Sequence, residues 1–91
     1  MKGFSYVIQN KEGLHARPAG AIIQKASGFG STIELSCKGK KVSLKGGIFA
    51  LMGMGLRHGD AIEVRIDGPD EDAALEALKQ EIESLLEVFF Y

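Results

Sequence analysis

The chain has one cysteine, Cys37, and only two histidines, His15 and His58. A lone thiol closes no internal disulfide, and one sulfur with two distant imidazoles makes no metal-ligand spacing, so neither a disulfide scaffold nor a metal centre is expected. Long apolar runs are also missing: nothing approaches the about 18 residues of a membrane-crossing helix. The opening Met1-Lys2-Gly3-Phe4-Ser5-Tyr6 lacks the apolar core of a secretion signal. Nor is there an excess of charge, since 11 basic against 12 acidic side chains give a formal net charge of −1. That balance supplies no basic face for nucleic acid. The expectations are a reducing, cytoplasmic setting, no membrane insertion, no nucleic-acid partner and no cofactor.

What is present is a globular balance, 45% hydrophobic and 25% charged over 91 residues, suited to a single domain, 1–91, with one core. Phe4, Tyr6 and Ile8 alternate with Ser5, Val7 and Gln9, which predicts a first strand. Asn10-Lys11-Glu12-Gly13 reads as a polar turn. Ala19, Ile22, Ile23 and Ala26 recur at helical spacing from Ala16 to about Ser27, and Gly28 and Gly30 stop the helix. Ile33, Leu35 and Cys37 predict a second strand, Lys38-Gly39 a two-residue hairpin turn, and Val42 and Leu44 the inward side of a third strand.

Ile48 to Met52, bracketed by glycines, predicts a short helix, and Ile62, Val64 and Ile66 a fourth strand. Asp70 is placed to cap a last helix whose apolar stripe is Leu75, Leu78, Ile82 and Leu85, with Glu71, Asp72, Glu76 and Glu81 on its wet face. The order is β-α-β-β-α-β-α. One-sided patterning of the strands predicts an α+β open-faced two-layer sandwich, a four-stranded antiparallel sheet covered on one side by helices.

The chemistry concentrates in Gly13-Leu14-His15-Ala16-Arg17-Pro18-Ala19. Proline is tolerated in a helix only in the first turn, which sets the start at about Ala16 and His15 near the N-cap. A serine or aspartate would cap that end better. Histidine instead leaves the backbone N–H groups of Ala16 and Arg17 open to an anion, at the positive end of the helix dipole. Arg17 adds a planar fork of donors matched to phosphate oxygens, and His15 a ring nitrogen able to act as nucleophile. His15 is thus the candidate phosphoacceptor and Arg17 the phosphate-stabilising residue. A bare His-x-Arg-Pro motif is weakly specific.

The rest of the chain raises the specificity. The segment Gly13 to Ala19, the run Lys41-Val42-Ser43-Leu44-Lys45 before a short apolar helix, the turn Leu56-Arg57-His58-Gly59-Asp60 and the acidic start of the last helix together resemble the histidine-containing phosphocarrier HPr of the phosphoenolpyruvate-dependent sugar phosphotransferase system, over essentially the full length. The resemblance implies the HPr open-faced sandwich. It also implies a stoichiometric phosphoryl carrier rather than an enzyme: His15 takes the group on Nδ1 from enzyme I and passes it to a sugar-specific enzyme IIA. A monomer is expected. By the same resemblance Ile48, Phe49 and Met52, on the short helix, are the candidate docking patch for both partners, with Leu51 in the core.

One departure stands out. Many HPr proteins of low-GC Gram-positive bacteria carry a kinase-targeted serine just before this helix. Here Gly46 and Gly47 occupy that stretch, with one extra residue. Glycine has no hydroxyl to modify, and Ser43 reads as an outward strand residue. A regulatory or nitrogen-branch HPr-like protein that signals through His15 is therefore the alternative. An acylphosphatase-like enzyme ranks lower, because it needs its arginine in a glycine-rich loop and a water-orienting asparagine, for which only Asn10 offers. His58 reads as a solvated loop residue and Cys37 as a small buried hydrophobe. The apolar tail Leu85 to Tyr91 fits either folding back on the domain or a dimer contact.

Overall fold

The computed structural model describes residues 1–9 and 16–86, without the side chains of 16, 17, 85 and 86. The predicted turn at 10–13, His15 and the tail from 87 onward lie outside the described residues. The elements follow the expected order: β1 (Lys2–Val7), α1 (Ala16–Ser27), β2 (Thr32–Cys37), β3 (Lys40–Ser43), α2 (Ile48–Met52), β4 (Ala61–Asp67) and α3 (Glu71–Leu86). The four strands form one sheet in the order β1-β4-β2-β3, antiparallel at every pairing. Lys38 (φ 54°) and Gly39 (φ 81°) make the β2–β3 turn with two positive φ angles, as a hairpin whose twist matches the strands requires.

Alternation sends Ile33, Leu35, Cys37, Ile62, Val64 and Ile66 to one face, where the helices cover them. Ala19, Ile22 and Ala26 of α1 and Ala74, Leu78 and Ile82 of α3 come down onto that face and are buried, each large aliphatic side chain contributing about 1.5–3 kcal/mol. Glu63, Arg65, Asp67 and Lys41 point to the open side, and all are exposed. Cys37 is buried as expected, and that burial pushes its thiol pKa up.

The connections decide which end of the sheet is functional. Val7 pairs with Ala61 and Cys37 with Lys40, so the exit of β1, the entry of β4 and the hairpin turn share one end. Thr32 pairs with Asp67 at the opposite end, where only residues 28–31 separate it from the close of α1. Helix α1 therefore begins at the hairpin end.

Asp70 stands just before α3 and its backbone carbonyl accepts from Ala74 N–H (2.9 Å), but its side chain does not cap the helix. Its carboxylate turns to the loop before β2, where Gly30 N–H donates to Oδ2 (2.8 Å), and Ser31 donates to Oδ1 through its N–H (3.0 Å) and its hydroxyl. Those donors, the Ser31 hydroxyl foremost and Gly30 N–H next, hold the Asp70 carboxyl below its ordinary pKa. Glu71 is not on the wet face either. It is half-buried, and its Oε1 accepts from Gly68 N–H (3.2 Å) while its own N–H donates to the Gly68 carbonyl (3.3 Å). Glu81 is drawn toward α1, 3.7 Å from the Lys25 ammonium. Gly68 passes so close to Ser31 that a Cβ there would lie 2.6 Å from the Ser31 Cα, and its φ of 157° suits glycine alone.

Two outcomes follow for unfolding experiments. Gly68→Ala is expected to cost about 2–3 kcal/mol in urea denaturation, through overpacking and backbone strain together; a loss below about 0.5 kcal/mol would contradict the close approach. A carboxyl whose pKa is lowered by folding stabilises the fold above its unfolded pKa, and that stability goes as pH falls through the folded value. Asp70→Asn should therefore lower the melting temperature at neutral pH and narrow its gap to wild type as pH drops below about 4. A gap that does not change with pH would contradict the assignment.

Candidate functional site

Helix α1 opens at Ala16, as the placement of Pro18 predicts. Pro18 and Ala19 are both buried, so this first turn is seated on the domain. No acidic residue occupies the turn. Its leading N–H groups have no partner within the helix, and the dipole adds a partial positive charge there. Arg17 lies inside α1, not in a loop, which removes the loop-borne arginine that an acylphosphatase-like site needs. His15 lies just before the described helix, outside the described residues.

Helix α2 packs against α1 and β3. Ile48 lies over Gly20 of α1, where a Cβ would meet Ile48 Cδ1 at 3.6 Å, an ordinary van der Waals contact. Gly47 leads into α2 at φ 102° and gives the helix no side-chain cap. Leu51 is fully buried and anchors the element, as predicted. Ile48 is half-buried, Met52 is 38% exposed and Phe49 is 87% exposed. Three residues singled out from sequence thus share one short helix beside the first half of α1. A five-residue helix with one buried anchor leaves Phe49 and Met52 largely in water while Ile48 packs partly against the core, a poor arrangement for stability and a suitable one for contact.

Two supporting residues were not singled out from sequence. The first is Gly20, whose signal was a glycine inside an otherwise helical run. The second is Asp60, 13% exposed, which gathers three elements. Its Oδ2 accepts from Arg57 N–H (2.8 Å), its Oδ1 lies 3.0 Å from the Lys38 ammonium, and its backbone carbonyl accepts from Ile8 N–H (2.9 Å). The Arg57 N–H first, then Lys38, hold its carboxyl below the ordinary range. The Ile8 carbonyl in turn accepts from Gly59 N–H (2.8 Å). The turn at 57–60 therefore clamps the chain where it leaves β1 toward His15. His58 is exposed in that turn, as expected. Ser43 is exposed too, and its Oγ accepts from Lys45 N–H (3.1 Å).

Among the described residues, no group of three or more His, Cys, Asp or Glu is arranged to hold a metal ion, and no helix is long and apolar enough to cross a membrane.

A family model described as the PTS HPr component phosphorylation site matches residues 3–84. The phosphocarrier protein HPr of Mycoplasma capricolum is 41% identical over 80 residues, which cover 88% of this chain and 89% of that one. Among solved structures, an HPr from Thermoanaerobacter tengcongensis superposes with a TM-score of 0.88 at 39% identity, over 99% of this chain and 100% of that one. An HPr dimer from the same organism gives 0.71 at 41% identity, over 91% and 94% of the two chains. The chain belongs to the HPr family, the phosphocarriers of the phosphotransferase system.

Proposed function

We propose that this chain carries a phosphoryl group on His15, taking it from enzyme I and delivering it to an enzyme IIA, and that it acts as a monomer in the cytoplasm. One observation carries the reading: α1 opens at Ala16, immediately after His15, with no acid in its first turn. An anion attached to residue 15 would meet the open N–H groups of Ala16 and Arg17 and the Arg17 guanidinium. These donors offset the phosphoryl charge once it has transferred. No substrate is turned over by the chain alone: the imidazole nitrogen forms a bond to phosphorus as the donor's bond breaks, and in a second transfer that N–P bond breaks as one forms to the acceptor.

Ile48, Phe49 and Met52 form the docking patch in this reading. Their position beside α1 lets one partner surface cover the patch and the helix start together. Gly46 and Gly47 supply no hydroxyl in place of the regulatory serine of some relatives, so control through that residue is absent from this chain.

Incubation with enzyme I and labelled phosphoenolpyruvate should give one acid-labile, alkali-stable phosphate per chain, lost in His15→Ala. Wild-type protein that stays unlabelled would refute the carrier role. Arg17→Ala should still be labelled, but about 10- to 100-fold more slowly, the range expected for losing a charged hydrogen-bonding partner of the phosphoryl group.

Phe49→Ala separates docking from folding. Its 87% exposure predicts a stability change within about 0.5 kcal/mol. The apparent KM for enzyme I should rise several-fold while the maximal rate holds. An unchanged KM would remove Phe49 from the contact.

A further inference from the structure

One residue closes the turn at 57–60 on itself. Asp60 N–H donates to the Arg57 carbonyl (3.0 Å), and Asp60 Oδ2 accepts from Arg57 N–H (2.8 Å). Gly59, at φ 89°, supplies the reversal. The closed turn takes up both backbone groups of Ile8: Gly59 N–H donates to the Ile8 carbonyl (2.8 Å), and Ile8 N–H donates to the Asp60 carbonyl (2.9 Å). The Ile8 side chain is fully buried, as is Pro18 within the first turn of α1. His15 falls between these two in sequence, so a buried anchor stands on either side of it.

The hairpin adds a second grip on the same carboxylate. Among the described residues Lys38 is the one non-glycine residue with a positive φ, 54°. Asparagine before Gly39 would suit that turn better, because its short side chain tolerates the left-handed region and a lysine gains nothing there. Yet the Lys38 ammonium lies 3.0 Å from Asp60 Oδ1. Backbone strain of this kind persists where the residue has another use. Stability is a poor account of that use. The Lys38 side chain is 63% exposed, and a pair so open to water contributes little. The bond from Arg57 N–H is exposed as well. Placement is a better account, since an error of about 1 Å in a reacting group costs up to about 100-fold in rate.

We propose that Asp60, braced by Lys38, is a positioning residue for phosphoryl transfer: it holds the 57–60 turn against Ile8 and thereby fixes where His15 meets the start of α1. This rests on the carrier reading above. Asp60 itself touches neither the phosphoryl group nor the donor protein and acts through the chain it holds.

The test compares wild type with Asp60→Ala, Asp60→Asn and Lys38→Asn in two measurements on the full chain. The first is the maximal rate and KM of transfer from phosphorylated enzyme I at about 0.5 M salt, where long-range attraction between surface charges is screened. The second is hydrolysis of the isolated phosphorylated chain, in which a water oxygen bonds to phosphorus as the N–P bond breaks and no partner takes part. Asp60→Ala should lower the maximal rate about 10-fold with KM within about twofold of wild type. Its phosphorylated form should hydrolyse about threefold faster or more, because the donors at the start of α1 no longer meet the phosphoryl group squarely. Asp60→Asn keeps an acceptor for Arg57 N–H and should recover part of both losses.

Lys38→Asn separates placement from stability. Asparagine relieves the hairpin, so the melting temperature should equal or exceed that of wild type, while both rates should match those of Asp60→Asn. Should Asp60→Ala fail to fold, this variant decides the matter by itself. Wild-type rates in Lys38→Asn would overturn the proposal, as would a loss confined to KM or an Asp60→Ala chain whose phosphohistidine hydrolyses at the wild-type rate. Wild type that takes no phosphoryl group fails the carrier reading and this one with it, whereas labelled wild type with indistinguishable variants fails this one alone.

Discussion

A proline has no N–H, and its ring collides with the carbonyl one turn back, so α1 accepts Pro18 only in its first turn. Burial of Pro18 and Ala19 then presses that turn onto the domain, and the helix start is confined to the few residues before Pro18. The leading end of α1, whose N–H groups have no partner within the helix, the positive end of its dipole and the approach of α2 over Gly20 are all referred to that point. If the helix began one turn later, the same residues would be present and the donors would face elsewhere.

Much of this was legible in the sequence because it depends on local rules. Alternation in Ile33-Glu34-Leu35-Ser36-Cys37 and in Ala61 to Ile66 gave the buried strand faces directly, and Lys38-Gly39 declared its turn through the φ angles a two-residue hairpin needs. The start of α1 was readable from Pro18. That a single helical turn cannot bury every side was readable too, while the choice of Phe49 for the docking patch came from the resemblance. Membership of the family was readable as well, since its residues extend from the His15 segment to the last helix.

What was not legible is long-range polar pairing. Asp70 has the composition of an N-cap, and only the fold brings Gly30 and Ser31, some 40 positions earlier, within reach of its carboxylate. Glu71 looked solvated because helical periodicity says nothing of a backbone N–H at Gly68 waiting for an acceptor. Asp60 read as a turn residue, yet it joins Lys38, Arg57 and Ile8 from three separate segments. Hydrophobic pattern is one-dimensional information and survives in the sequence, whereas the partner of a polar group depends on which loops the completed sheet sets side by side.

The sheet order β1-β4-β2-β3 has a consequence for synthesis. The first strand has a single sheet neighbour, β4, and Lys2 faces Ile66 across that pairing. A nascent chain emerging from the ribosome can close the β2–β3 hairpin early, but Phe4 and Tyr6 have nothing to zip against until Val64 and Ile62 have been translated. The opening strand must therefore wait for β4, the same late strand that completes the pairing with β2.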